Sequence, residues 1–318
     1  MSGYVVRRIL HAILVILLVS VIVFLLMRML PGDPIEMLVT SSVLSDAPQE
    51  LIDQLRHEHG LDRPLYVQYF SWLANLLRGD LGVSLLNRFN IGAEILNRLP
   101  VTLCLGLTGF FIGLIVGPLL GIICAIRRGK LIDNVIAFIA NIGITAPQFW
   151  TGIMLIYFFG FKLNWLPLYG YTLPWKNFAM SFRQSVMPVF VIALFPIASS
   201  SRQMRSAVIE TLQEDYVRTA WAKGLREKKV ILKHVIKNSI MPVITLQGVL
   251  LRNIVGGSVV VETIFVIPGM GKLLVDAMLS HDYPVVQGVI LVFVTVVVLS
   301  NLLVDLIYGW LDPRIQYE

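Results

Sequence analysis

Three stretches of the chain, 101–126, 134–161 and 283–304, contain no Asp, Glu, Lys or Arg. Each is longer than the roughly 20 residues an α-helix needs to cross the hydrocarbon core of a bilayer. Lipid offers no water to unpaired backbone groups, so only helices and closed barrels span it. A barrel would show short segments of alternating polarity, whereas these runs are continuous. The expected fold class is therefore all-α integral membrane. The whole composition agrees: 14% of the 318 residues are charged, against roughly 25% in an ordinary soluble domain.

Six spans are expected, over about 9–30, 101–126, 134–161, 186–204, 240–262 and 285–309. The first follows Arg7 and Arg8. It is longer than the 7–15-residue core of a secretory signal and lacks a small-x-small cleavage site, so it reads as an uncleaved span. Pro188 and Pro196 interrupt the fourth, which membrane helices tolerate when neighbours satisfy the freed carbonyl.

Loops rich in Lys and Arg stay cytoplasmic. Segment 202–237 holds nine basic residues against four acids, and Arg127, Arg128 and Lys130 crowd another turn. The expected orientation has both termini cytoplasmic. It divides the chain into a first helix (1–30), an external segment (31–96), a region of five helices (97–310) with a cytoplasmic loop at 205–240, and a tail (311–318). Within the external part, 49–59 and 65–77 read as amphipathic helices, with turns at Pro31-Gly32-Asp33-Pro34 and Gly79-Asp80, and together as a small ordered cap. The net charge of +6 sits in loops between apolar runs rather than on one face of a module, which argues against nucleic acid as a partner.

Polar candidates are few. Cys104 and Cys124 lie inside one apolar run with no C-x-x-C spacing and read as packing residues. His57 and His59 flank Glu58, but the spacing matches no metal pattern, and no metal is expected. Pro268-Gly269-Met270-Gly271-Lys272-Leu273 lacks the first glycine of a phosphate loop and its magnesium-holding Ser or Thr, so the chain carries no ATP site. Glu214 to Gly224 reads as a short helix with Glu214 and Asp215 at its start, favourable to the helix dipole, and a glycine able to take a left-handed cap.

The motif Tyr216-Val217-Arg218-Thr219-Ala220-x-Ala222-Lys223-Gly224-Leu225, followed by Lys233-His234, Lys237-Asn238 and Pro242-Val243, resembles the cytoplasmic loop of permease subunits of ATP-binding-cassette importers of the dipeptide, oligopeptide, nickel and glutathione type. The resemblance extends to Leu30-Pro31-Gly32-Asp33-Pro34, Gly60-Leu61-Asp62-x-Pro64-Leu65, Gly79-Asp80-Leu81-Gly82-x-Ser84, Gly256-Gly257-Ser258-Val259-Val260-Val261-Glu262, Pro268-Gly269-x-Gly271 and Asp282-Tyr283-Pro284-Val285-Val286-Gln287, nearly the whole chain.

It implies a type I importer transmembrane fold of six helices in a bacterial inner membrane. Implied partners are a homologous second permease, two ATPase subunits that carry ATP and magnesium, and an extracytoplasmic substrate-binding protein, with lipid around the spans. The chain itself would be non-catalytic and bind no cofactor. Glu214, Asp215, Tyr216, Arg218, Thr219, Ala220, Ala222, Lys223 and Gly224 would form the coupling helix, the small residues approaching an ATPase groove and Arg218 and Lys223 pairing with acids there. The loop departs from the general importer pattern in carrying Arg218-Thr219-Ala220 where that pattern starts Glu-Ala-Ala, so no glutamate role carries over.

Polar side chains inside spans are costly and mark candidate pathway residues. Arg252 lies about ten residues from either end of the fifth expected span. It is expected to meet the carboxylate of a passing solute or, alternatively, to pair with an acid such as Asp305. Ser199 and Ser200, near the inner end of the fourth span, join it as pathway candidates. Glu262 and Asp305 are expected at helix ends in the interface. The alternative function, a stand-alone ion-coupled secondary transporter, calls for acidic or histidine relays at the membrane midplane. Arginine is a poor proton carrier because its pKa exceeds about 12, and no internal repeat supports that architecture.

Overall fold

A computed structural model describes residues 2–29, 57, 62–252 and 254–311. The expected helix over 49–59, the turn at 31–34 and His59 lie outside the described residues. These residues pack as two units, one of Met1–Pro100 with Gly269–Glu318 and one of Val101–Pro268.

In the first unit, α1 (Ser2–Met29) packs along the final helix, α12 (Tyr283–Leu311). The expected amphipathic helix at 65–77 is present as α2 (Leu65–Leu77). The turn after it reverses at Gly79 and Gly82, with φ of 82° and 83°, and leads into α3 (Ile91–Ile126). Ser84 and Asp282 tie that turn to the start of α12: Ser84 Oγ donates to Asp282 Oδ2 at 2.5 Å and the Leu85 amide donates to Oδ1 at 3.3 Å. Both residues are buried.

In the second unit, the expected third span is not one straight helix. It is split into α4 (Leu131–Thr145) and α5 (Gln148–Leu155), the latter continued by a π-helical turn (Ile156–Lys162), with a bend of 107° between them. Pro147 is the cause. A proline disfavours helical geometry in the residue before it, and Ala146 is extended at ψ 124°. The fourth span is longer than expected: α6 (Phe178–Thr211) starts at an Asn177 cap, whose side chain accepts from the Met180 amide, and contains Pro188 and Pro196.

Residues 212–214 turn into α7 (Asp215–Ala222). The basic stretch after Gly224 forms the first turns of the fifth span. The chain from α8 (Glu227–Val230) through a π turn (Ile231–Val235) to α9 (Ile236–Arg252) is continuous, so Lys228, Lys229, Lys233 and Lys237 ride on the span itself. The loop proper thus shrinks from 205–240 to 212–226. α10 (Ile254–Ile264) follows, and α11 (Met270–Leu279) belongs to the first unit. Five described helices are long and apolar enough to cross a membrane, or six when the bent pair counts as one span.

α3 and α6 pack backbone to backbone. Gly109, Gly113, Gly117 and Gly121 lie on one stripe of α3, where a Cβ would meet Ile192, Pro196, Ser200 and the Ser201 carbonyl oxygen at 2.3–2.6 Å. Association in lipid relies on such small-residue contacts, because burying apolar surface gains nothing there.

Candidate functional site

α7 is held on a pedestal of the chain's own apolar side chains. Val217 and Ala220, three residues apart and so on one face, are buried with Met204 and Val208 of α6, Ala125 of α3, and Val230, Val235 and Val243 below. A polar contact ties it to α9, Asn238 Nδ2 donating to the Tyr216 hydroxyl at 2.7 Å, while Thr219 Oγ1 donates to the Asp215 carbonyl within α7 at 2.9 Å. Gly224, with φ 71°, ends the segment in the left-handed region that favours glycine.

Ala220 is only 5% exposed and faces inward, so its small size serves contact with this chain's own core. Glu214, Asp215, Tyr216, Arg218, Thr219, Ala222, Lys223 and Gly224 are exposed. Asp215 and Arg218 pair along the helix at 3.3 Å, both well exposed. Sequence reasoning passed over Trp221, which is 42% exposed. Helical phase alone does not reveal this, since 217, 220 and 221 follow i, i+3, i+4 and place Trp221 beside the inner stripe.

The turn between α3 and α4 is stitched to α6 by an ion pair that sequence reasoning also missed. Arg205 Nε and Nη2 donate to Asp133 Oδ1 and Oδ2, each at 2.8 Å, and the Gly129 amide donates to Oδ2 at 3.0 Å. Bidentate arginine–carboxylate geometry is among the strongest of side-chain contacts.

A cavity of about 310 Å³ in the second unit is lined by Phe110, Gln148, Phe195, Pro196, Leu250 and Gly256, among others, from α3, α5, α6, α9 and α10. Neither Ser199 nor Ser200 lines it. Ser199 Oγ donates to the Phe195 carbonyl of its own helix, and Ser200 accepts from Gln247 Nε2 at 2.5 Å between α6 and α9. Both serines are buried. Arg252 is the last described residue of α9 before position 253, and its side chain lies outside the described residues.

Glu262 is not at a solvated helix end. It is 0% exposed, and its Oε1 accepts from Thr102 Oγ1 at 2.7 Å, joining α10 to α3. Asp305 is engaged by Arg8 at 2.9 Å. Among the described residues no three His, Cys, Asp or Glu side chains gather as metal ligands, and His57 Nδ1 lies 2.6 Å from Asp62 Oδ2.

Hydrophobic helices of this length and number, with a seated polar helix between α6 and α9, define a multi-span membrane protein. The chain belongs to the family described as the binding-protein-dependent transport system inner membrane component, matched over residues 117–317, with the N-terminal membrane component of the same systems matched over 1–106. It is 38% identical over 320 residues to the oligopeptide transport system permease protein AppB of Bacillus subtilis. Identity is also 38%, over 318 residues, to the glutathione transport system permease protein GsiC of Escherichia coli O6:H1, and both matches cover 100% of either chain. The fold is similar to a chain of the inward-facing MetNI methionine ABC transporter, at a TM-score of 0.56 and 15% identity over 69% of this chain and 96% of that one.

Proposed function

We propose that this chain forms half of the translocation pathway of an ATP-driven importer for peptides or similarly small solutes, paired with a homologous second permease. It would receive solute from an extracytoplasmic binding protein and alternate between outward-open and inward-open states. Two separate ATPases would hold ATP and magnesium, hydrolyse the nucleotide and drive the change through α7, with both termini on their side of the membrane.

The observation that carries this reading is the construction of α7. A helix of eight residues is marginal alone, yet Val217 and Ala220 anchor it in the core while Asp215, Arg218, Trp221, Ala222 and Lys223 face outward. A rigid polar knob with a central aromatic is the form expected of a force-transmitting contact, since aromatic and arginine side chains dominate interface energetics. The solute class is supported by the names of the relatives, an oligopeptide and a glutathione permease.

The cavity beside Pro196 is offered as part of the solute path. Its volume falls at the low end of the roughly 300–1,000 Å³ usual for ligand pockets. Arg252 stands in sequence between Leu250 and Ile254, both of which line that cavity, which supports its contact with a solute carboxylate.

The test is affinity purification of the tagged chain from detergent-solubilised native membranes, with co-purifying proteins identified by mass spectrometry. A second six-span permease and ATP-binding-cassette ATPases are expected. A chain that purifies alone and moves solute in liposomes without ATP would overturn the reading.

A further inference from the structure

In the external segment, α2 makes an unexpected contact with α1. Tyr69 stacks edge-on against Phe24 with ring centroids 5.4 Å apart, and Trp72 lies 6.0 Å from the same ring. The Tyr69 hydroxyl lies 2.9 Å from Ser20 Oγ, and since Ser20 already donates to the Leu17 carbonyl at 2.7 Å, Tyr69 is the donor. Ser20 and Phe24 are almost fully buried on α1.

The depth of these contacts follows from α1 itself. Between Arg8 and Arg28 the helix carries no Asp, Glu, Lys or Arg. Twenty residues at 1.5 Å each make about 30 Å, which matches the hydrocarbon thickness of a bilayer. Arg8 and Arg28 therefore mark its two boundaries. Phe24 lies about 6 Å, and Ser20 about 12 Å, inside the Arg28 boundary. A tyrosine whose hydroxyl reaches Ser20 holds its backbone at or below the headgroup level rather than in a water-filled cap.

The rest of α2 suits that depth. Its 13 residues include no charged side chain, whereas Asp62 and Arg63 precede it and Arg78 and Asp80 follow it. None of its residues is buried. Tyr66, Phe70 and Leu77, at i, i+4 and i+11 on the face turned away from α1, are 67%, 63% and 80% exposed. About 20 Å of helix is too short to cross the bilayer. An uncharged helix with an exposed aromatic face and charged ends fits the boundary layer, where Tyr and Trp concentrate.

We propose that α2 is an interfacial membrane helix: it lies in the leaflet that carries Arg28, with Tyr66, Phe70 and Leu77 against phospholipid. It anchors the segment between the first two spans to the bilayer surface and sets its height. This proposal is independent of the solute carried.

Single cysteines at Tyr66→Cys and Phe70→Cys, in a Cys104→Ser, Cys124→Ser background, would carry nitroxide labels in the complex purified from native membranes and placed in phospholipid nanodiscs. Collision with oxygen is expected to exceed collision with a water-soluble nickel chelate at both positions, as at a Leu18→Cys reference on α1. Dominance of the chelate, or protection from both reagents by a covering protein, would overturn the proposal. If labelling disturbs assembly, fluorescence in bilayers of lipid brominated along the acyl chain decides instead. The quenched fraction should rise on Phe70→Trp substitution, and an unchanged fraction would overturn the proposal equally.

Discussion

The guanidinium of Arg205 on α6 grips the carboxylate of Asp133 on the first turn of α4 through two parallel hydrogen bonds of 2.8 Å. The acid is 3% exposed and the base 33%, so the pair is sealed on one side and open on the other. Removing one partner of a buried pair costs about 3–5 kcal/mol because the other charge is stranded; partial exposure of Arg205 lowers the expected loss for Asp133→Ala to about 2–4 kcal/mol. The double variant Asp133→Leu with Arg205→Met should lose less than Asp133→Ala alone. Thermal unfolding in detergent checks both, and a single variant no worse than an exposed pair, about 0–1 kcal/mol, would refute the role.

Gly121→Ala places a Cβ 2.4 Å from the Ser201 carbonyl oxygen and 3.0 Å from the Arg205 amide. Backbone atoms cannot swing aside as side chains do, so α3 and α6 must separate, at a cost of about 1–3 kcal/mol. Gly256→Ala is the control: nothing lies within 4 Å of its added Cβ, and it should melt at or above the wild-type temperature. Equal melting of the two variants would contradict the close packing.

Two variants of the α7 segment should separate coupling from folding. Arg218→Glu with Lys223→Glu alters only exposed side chains. It is expected to reduce co-purifying ATPase at least tenfold, about 1.4 kcal/mol, with the melting temperature of the chain unchanged. Val217→Asp, at a position 0% exposed, should instead destabilise the chain itself. ATPase recovery that is unaffected by the double reversal would remove α7 from the coupling role.

Asp282→Ala strips the acceptor from a buried Ser84 hydroxyl and from the Leu85 amide. An orphaned buried donor costs about 1–3 kcal/mol. Limited proteolysis should then cut the 79–90 turn faster than in the wild type, while the 212–226 loop is cut at its former rate. Equal cleavage of the 79–90 turn in both proteins would show that Asp282 does not hold it.

Composition and run length were enough to read the class, the helical character and most span positions, because the bilayer imposes a length and a polarity on every helix. The break at Pro147 was also legible through the extended geometry of the residue before a proline, but an uninterrupted charge-free run drew the reading across it. The partnership of Asp133 with Arg205 was not legible. The two are 72 residues apart, and Arg205 looked like one of nine loop cations. Glu262 misled for the same reason, since its partner Thr102 lies 160 positions away. Ala220 and Ala222 are chemically identical in sequence. Only helical phase, read from Val217, separates the inward one from the outward one.

The row of glycines on α3 has a consequence for how the sequence can drift. One helix supplies a smooth track and the other supplies every protrusion that rests in it: Ile192, Pro196, Ser200 and the backbone near Ser201. Damage and repair are therefore asymmetric. Bulk gained at 109 cannot be relieved by any neighbour on α3 and must be answered by trimming on α6, so second-site suppressors of such a lesion should fall at 192, whereas bulk at 117, which meets the Ile197 carbonyl oxygen, should find none.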